Sequence, residues 1–421
     1  MKQGKTTTFL DIPVDRPTAG TEGRVTALEG WLIRKLFEAA GRPRVRVRLW
    51  DGQEYYRCAD AEPVAGLHIR DRASFWRLLA NPNLGFGDGY SLGTLQIEGN
   101  LVDFLEAIYH GKIEHTRPGP VQEFITRGLR NSRRRNTHSG SRRHIHHHYD
   151  LGNDFYRLWL DEEMAYTCAY FPQATATLEQ AQFAKHEHVC RKLALRPGET
   201  VVEAGCGWGG LARHMARHHG VKVRSYNISH EQIVYARERA KAEGLDDRIE
   251  YIEDDYRTIT GRYDAFVSVG MLEHVGPENY AGLGELIDRV LSPSGRGLIH
   301  TIGQIHPEPT GAWIEKRIFP GGYVPTLREM MDIFEGPGFS VLDVENLRLH
   351  YAKTLEHWLE RYEQNLETVR GMYDEFFVRA WRLYLAGSIA NFRAGTLQLY
   401  QVAFARPTKN DIPWTRAYLY D

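Results

Sequence analysis

The stretch Val201-Val202-Glu203-Ala204-Gly205-Cys206-Gly207-Trp208-Gly209-Gly210 decides the fold. Its first four residues form a short apolar run, the length of a buried strand. The glycines then allow a sharp turn and let a ligand approach the backbone. A helix is expected from Leu211 to His219, closed by Gly220, with its N-terminus aimed back at the turn.

The same rhythm repeats outward from the turn. Strands are expected at Val221 to Ile228, Ile249 to Ile252, Ala265 to Val269 and Gly297 to Ile302. Helices are expected at Glu231 to Glu243, stopped by Gly244, and at Tyr280 to Leu291. Strand and helix in alternation imply an α/β doubly wound, mostly parallel sheet with helices on both faces. Two late runs, Phe339 to Val344 and Leu397 to Ala405, would complete seven strands. Between them lies a helical insertion, Thr354 to Asn391, rich in Trp, Tyr and Phe.

With 421 residues, the chain is too long for one ordinary core. Residues 1–22 read as a polar tail and 23–126 as a small α+β domain. In that domain Leu28 to Ala40 is helix-like, Val45 to Trp50 alternates as a strand, and Asp51-Gly52 marks a turn. Residues 127–148, with Arg127, Arg130, Arg133, Arg134, Arg135, Arg142 and Arg143, read as a basic linker, and 149–421 as the catalytic domain. Few aromatics sit among these arginines, which argues against nucleic acid. The four cysteines form no CxxC pair, and His144, His146, His147 and His148 lack acidic partners at helical spacing, so no metal site and a cytoplasmic setting are expected. The start of the chain has no signal-peptide core, and no stretch is apolar enough to span a bilayer, so any membrane contact is expected to be peripheral.

Gly205, Gly207 and Gly210 satisfy GxGxxG, the dinucleotide pattern. That pattern wants an acid at the end of the second strand, where this chain has Ser225-Tyr226-Asn227. The acid stands instead before the glycines, at Glu203, which is the arrangement of S-adenosylmethionine-dependent methyltransferases.

Further motifs resemble the cyclopropane fatty acid synthase family. They are Tyr149-Asp150-Leu151-Gly152-Asn153-Asp154-Phe155-Tyr156, Met164-Ala165-Tyr166-Thr167-Cys168-Ala169-Tyr170-Phe171, Met271-Leu272-Glu273-His274-Val275-Gly276-Pro277 and Leu298-Ile299-His300-Thr301-Ile302-Gly303. The resemblance runs from about residue 144 to 406, and the N-terminal domain looks like the accessory domain of the phospholipid-acting members. It implies a class I methyltransferase fold with a helical lid. It also implies methylene transfer to the cis double bond of an unsaturated phospholipid acyl chain, through a carbocation deprotonated by a bound bicarbonate. The resemblance assigns the bicarbonate to Cys168, Glu273, His300 and Tyr351, with the backbone at Gly270 and Ile302. It assigns S-adenosylmethionine to Tyr166, Thr167, Glu203, Gly205, Cys206, Gly207, Gly209, Asn227, Gln232, Asp255 and Tyr256. It further implies a homodimer working at the inner membrane face. By composition, the linker arginines and the loop Trp313 to Pro325, which mixes Trp313, Ile318, Phe319, Tyr323 and Val324 with Lys316 and Arg317, are the docking candidates, and the loop reads equally as a lid over the acyl tunnel.

The chain departs from the family pattern at Asn227, where Thr is usual, at Ser388, where many members carry Cys, and at Leu272, where Phe is usual. Two rivals follow: a related fatty acyl methyltransferase giving a methyl-branched or methylene product, and a catalytically dead lipid-binding protein.

Overall fold

A computed structural model describes residues 23–115 and 151–420. They form two compact units, one of residues 23–115, 310–320 and 355–396, the other of residues 151–309, 321–354 and 397–420.

The first unit holds a four-stranded sheet of β1 (Val45–Arg48), β2 (Glu54–Arg57), β3 (Ala65–Ile69) and β4 (Leu95–Glu98), in the order β2-β1-β3-β4. β1 runs parallel to β3, and the other two pairings are antiparallel. Val45 and Val47 of β1 are buried, while Arg46 and Arg48 turn to the other face and pair with Glu98. The helix Ala27–Ala39 starts in a capping box: Glu29 N–H donates to Thr26 Oγ1, and Thr26 N–H donates to Glu29. Strand β3 and the helices Arg72–Ala80 and Pro82–Leu92 were not foreseen from sequence.

The expected domain division keeps the aromatic insertion with the catalytic sheet. The contacts instead place residues 355–396 and 310–320 with the N-terminal residues. The reason is apolar complementarity. The 20-residue helix Glu375–Ala394 buries Phe377, Trp381, Leu385 and Ile389 along one stripe and packs on the helices Pro82–Leu92 and Leu101–His115. Trp313 lies against Gly87, where a Cβ would meet its ring at 2.2 Å, and Arg317 forms a fork with Asp88 at 3.0 and 2.9 Å. Trp313, Arg317 and Ile318 are therefore buried. This corrects the reading of Trp313, Arg317 and Ile318 as parts of an interfacial anchor, whereas Phe319, Tyr323 and Val324 are half-buried. The linker 127–148 lies outside the described residues.

The second unit is the seven-stranded sheet: β5 (Thr200–Ala204), β6 (Lys222–Asn227), β7 (Ile249–Glu253), β8 (Tyr263–Val269), β9 (Leu291–Gln304), β10 (Ser340–Asn346) and β11 (Leu397–Ala405). Their order is β10-β11-β9-β8-β5-β6-β7. β5 to β9 are parallel, while β11 is antiparallel to both β9 and β10. Alternate residues feed two cores. Val201, Val267 and Leu298 pack with the helices Leu178–Lys192, Gly210–His219 and His230–Ala242, whereas Val202, Phe266 and Ile299 pack with the helix Tyr280–Val290. This is the expected doubly wound class, and the strand order reverses between β5 and β8, where such sheets open their ligand crevice.

Candidate active site

The glycine turn follows β5 at that crevice. Gly205, Gly207 and Gly209 all have positive φ, at 87°, 53° and 81°. A Cβ on Gly205 would meet Met271 Cβ at 2.9 Å, so the close approach requires glycine as much as the turn does. Tyr226 O accepts the Gly205 N–H at 2.9 Å, and Asn227 Nδ2 donates to Gly207 O at 3.3 Å and to Gln232 Oε1 at 2.7 Å. The turn is thus tied to the end of β6.

A cavity of about 120 Å³ opens beside it. Of the residues expected at the cofactor, Tyr166, Thr167, Glu203, Gly205, Cys206, Gly207, Asn227 and Gln232 line it, together with Gly270. Gly210 lines it in place of Gly209, whose carbonyl instead accepts the Tyr251 hydroxyl at 2.9 Å. Asp255 and Tyr256 stand outside this lining; Asp255 caps the short turn after β7 by accepting the Arg257 N–H at 3.0 Å.

Burial pushes Glu203 up to about 7, against the opposing Ser225 hydroxyl, which donates to Oε2 at 2.6 Å. Lys185, not foreseen from sequence, also lines the cavity; its Nζ donates to Thr167 Oγ1 at 3.1 Å, and burial brings its ammonium down to about 8. The signal was present: Leu178, Ala181, Gln182, Lys185, Val189 and Lys192 form the buried stripe of one helix, and a lysine inside such a stripe asks for a partner.

The residues expected around a bicarbonate come from four segments. Phe171 N–H donates to His350 Nδ1 at 2.9 Å and Ala169 N–H to Thr354 Oγ1 at 3.0 Å, which fastens the Tyr166–Phe171 segment to the helix carrying Tyr351. Cys168 is buried in that segment; its thiol donates to Ala169 O at 3.2 Å, and burial pushes its pKa far up. It is a protonated packing group and not a thiolate. Tyr351 is buried one turn into its helix.

Glu273 follows β8, and Glu273 Oε1 accepts the Ile302 N–H at 2.7 Å. The Gly270 N–H donates to His300 O at 2.9 Å. Both backbone donors expected to face an anion are therefore already engaged. His300 sits on β9 opposite Gln401 of β11, whose Nε2 donates to His300 Nδ1 at 3.0 Å. The neutral imidazole then carries its proton on Nε2. Burial holds His300 well below the usual histidine range and raises Glu273, the latter against the Ile302 N–H. Among the described residues, Glu273 Oε2 and His300 Nε2 are buried polar atoms with no hydrogen-bond partner.

Sheet order, glycine turn and cavity define a class I S-adenosylmethionine-dependent methyltransferase. The profile of the Mycolic acid cyclopropane synthetase family matches residues 136–402, and a domain of unknown function matches residues 32–117. A probable fatty acid methyltransferase of Pseudomonas putida is 36% identical over 394 residues, covering 89% of this chain and 96% of that protein. The cyclopropane-fatty-acyl-phospholipid synthase of Escherichia coli K12 is 38% identical over 354 residues, covering 83% and 90%. The crystal structure of the mycolic acid cyclopropane synthase CmaA1 complexed with SAH and CTAB superposes with a TM-score of 0.60 at 30% identity, covering 63% of this chain and 98% of that one. The chain belongs to the mycolic acid cyclopropane synthetase family and is an S-adenosylmethionine-dependent enzyme.

Proposed function

We propose that this enzyme closes a cyclopropane ring on the cis double bond of an unsaturated phospholipid acyl chain, using S-adenosylmethionine and a bound bicarbonate. The observation that carries this reading is the pair of orphaned buried atoms, Glu273 Oε2 and His300 Nε2. A buried polar atom left unpaired is costly, so the site wants a small guest with both a donor and an acceptor. Bicarbonate has both. His300 would donate through Nε2–H and Glu273 would accept the guest's O–H, while Cys168 and Tyr351 close the surroundings.

S-adenosylmethionine fits the glycine cradle and supplies an electrophilic methyl group on a sulfonium. Glu203 offers the carboxylate that offsets positive charge there, and Thr167 and Lys185 supply donors in the same lining. Bicarbonate supplies a weak base. Neutral His300, fixed by Gln401, holds its proton on the nitrogen that faces the guest. Burial of Cys168, of His300 and of the Glu273 Oε2 atom keeps water from a cationic substrate centre.

No helix among the described residues is long and apolar enough to cross a membrane. A substrate embedded in a bilayer then requires the enzyme to work at the membrane surface.

Incubation with S-adenosylmethionine and vesicles of cis-unsaturated phospholipid, followed by mass analysis of the acyl chains, tests the reading. A gain of one CH₂ that resists catalytic hydrogenation is expected. A product of the same mass gain that takes up one H₂ on hydrogenation favours the methylene product, a rival supported by the likeness to the Pseudomonas putida protein. No gain at all, with S-adenosylmethionine still bound, sinks both.

A further inference from the structure

The unit that contains the N-terminal sheet holds a second cavity, of about 530 Å³. This is within the size range of small-molecule sites. Its polar lining is Tyr90, Gln96, Asn100, Glu363, Arg379 and Arg382, and the rest of its wall is mainly aliphatic.

The charges in this lining do not balance. Arg382 forks onto Glu363 through Nε and Nη2. Arg379 has no carboxylate partner among the described residues. Arg379 Nε donates to Tyr90 O at 2.6 Å and Nη2 to Leu95 O at 3.5 Å, and its guanidinium lies 4.4 Å from the centre of the Tyr90 ring. These contacts fix the plane of the guanidinium and leave its charge uncompensated. Two guanidiniums and one carboxylate leave one net positive charge facing the cavity. Asn100 Oδ1 accepts the N–H groups of Val102 at 2.8 Å and Asp103 at 3.2 Å, so its amide NH₂ is the group left to donate. With Arg379 Nε and Nη2 held by backbone carbonyls, its Nη1 side is the pre-oriented edge left to donate, and beside amide donors it matches the oxygens of a phosphate group.

We propose that this cavity is a binding site for a phosphate ester, carried either by a phospholipid headgroup or by a free phosphate, and separate from the glycine-turn site. The aliphatic wall favours the lipid, because it offers a surface to a glycerol ester beside the charged corner. The proposal does not depend on the ring-closing chemistry, and neither does its test, which reads binding alone.

Calorimetric titration of the full chain would use two probes, inorganic phosphate and monomeric dihexanoyl phosphatidylglycerol, which forms no bilayer at low concentration. Two variants are compared with the parent. Arg379→Gln removes the unpaired charge. Gln96→Glu places a carboxylate at an exposed position of the lining and leaves the Arg379 hydrogen bonds intact, which keeps the test valid if Arg379→Gln folds poorly. Both variants are expected to weaken the short-chain lipid by about tenfold or more, the loss of one charge-assisted contact. A parallel loss for inorganic phosphate assigns the site to the phosphate group itself; a loss for the lipid alone assigns it to the headgroup; a loss for phosphate alone assigns it to free phosphate. Unchanged affinity for both probes in both variants, or a parent chain that binds neither, overturns the site.

Discussion

Glu273 Oε1 accepts the Ile302 N–H at 2.7 Å, which joins the loop after β8 to strand β9 and leaves Oε2 as the carboxylate's unpartnered atom. In the proposed reaction Glu273 therefore has two separable functions, one structural and one towards the bound bicarbonate. Glu273→Gln retains an acceptor for Ile302 and replaces an ionisable oxygen with an amide. The variant is expected to fold and to bind S-adenosylmethionine with parental affinity, while turnover on unsaturated phospholipid falls by about 10²–10³, typical for one preorganised polar group. Parental turnover in Glu273→Gln would remove the residue from the reaction.

His300 is oriented from behind. Gln401 holds Nδ1 at 3.0 Å, and the two residues are register partners across β9 and β11. Gln401→Leu keeps the side chain's approximate volume and frees the imidazole to exchange tautomers. A fall in kcat of about 10- to 100-fold is expected, as for other partners that orient a functional histidine, with little change in KM. Because burial holds His300 well below the usual histidine range, the parental pH–rate profile should show no limb from this residue near 6.5. A limb at that pH that disappears in His300→Asn would contradict the assignment.

The sheet was legible because its strands are apolar runs separated by glycine-stopped helices, and β6, β8 and β11 fall within two residues of their expected ends. The small domain was read less well. Pro82–Leu92 contains three glycines and a proline, so local propensity argues against helix there; the cap from Asn81 and close packing, as at Gly87 against Trp313, override it, while Arg72–Ala80 is started by a cap from Asp71. The engaged state of the Ile302 and Gly270 N–H groups was not legible at all. It depends on where Glu273 and β9 lie in space, and neither spacing nor residue type reports that. Lys185 stands outside every motif of the sequence, although its neighbours at i−4, i−3 and i+4 mark the buried face.

Glu203 should make cofactor affinity depend on pH. Burial raises its carboxyl to about 7 in the cavity, and the cationic cofactor favours the ionised form. Each pH unit below about 7 should then weaken S-adenosylmethionine binding by about tenfold, since protons and the cofactor compete for the same carboxylate. The Glu203→Gln variant should bind more weakly at pH 8 and lose this dependence. Equilibrium dialysis between pH 5.5 and 8.5 compares the two. Identical pH slopes in parent and variant would show that Glu203 does not sense the cofactor.

A second carboxylate makes the opposite kind of contribution, to stability. Glu345 Oε2 lies 2.7 Å from His188 Nε2 and 2.7 Å from Lys192 Nζ, both partners being almost fully buried. Burial alone would raise its carboxyl, but these partners outweigh it and bring it from 4.5 to about 2. A carboxyl depressed by folding stabilises the folded chain in full above the unfolded value of 4.5, and that contribution is lost as pH falls from 4.5 towards 2. Glu345→Gln should cost about 3 kcal/mol in urea unfolding at pH 7, the cost of breaking a buried pair, with Asp343 at 3.3 Å left to hold Lys192. The gap between parent and variant should narrow as pH drops below 4.5. His188 also stacks on Tyr170 at 4.3 Å, and Tyr170 on His350 at 4.8 Å, so loosening Glu345 should also loosen the segment that carries Cys168. Amide exchange at Ala169 and Phe171, whose N–H groups are held by Thr354 and His350, should therefore accelerate in the variant. Parental exchange there, together with a stability gap that does not change with pH, would show that the His188–Glu345–Lys192 group is not coupled to the site.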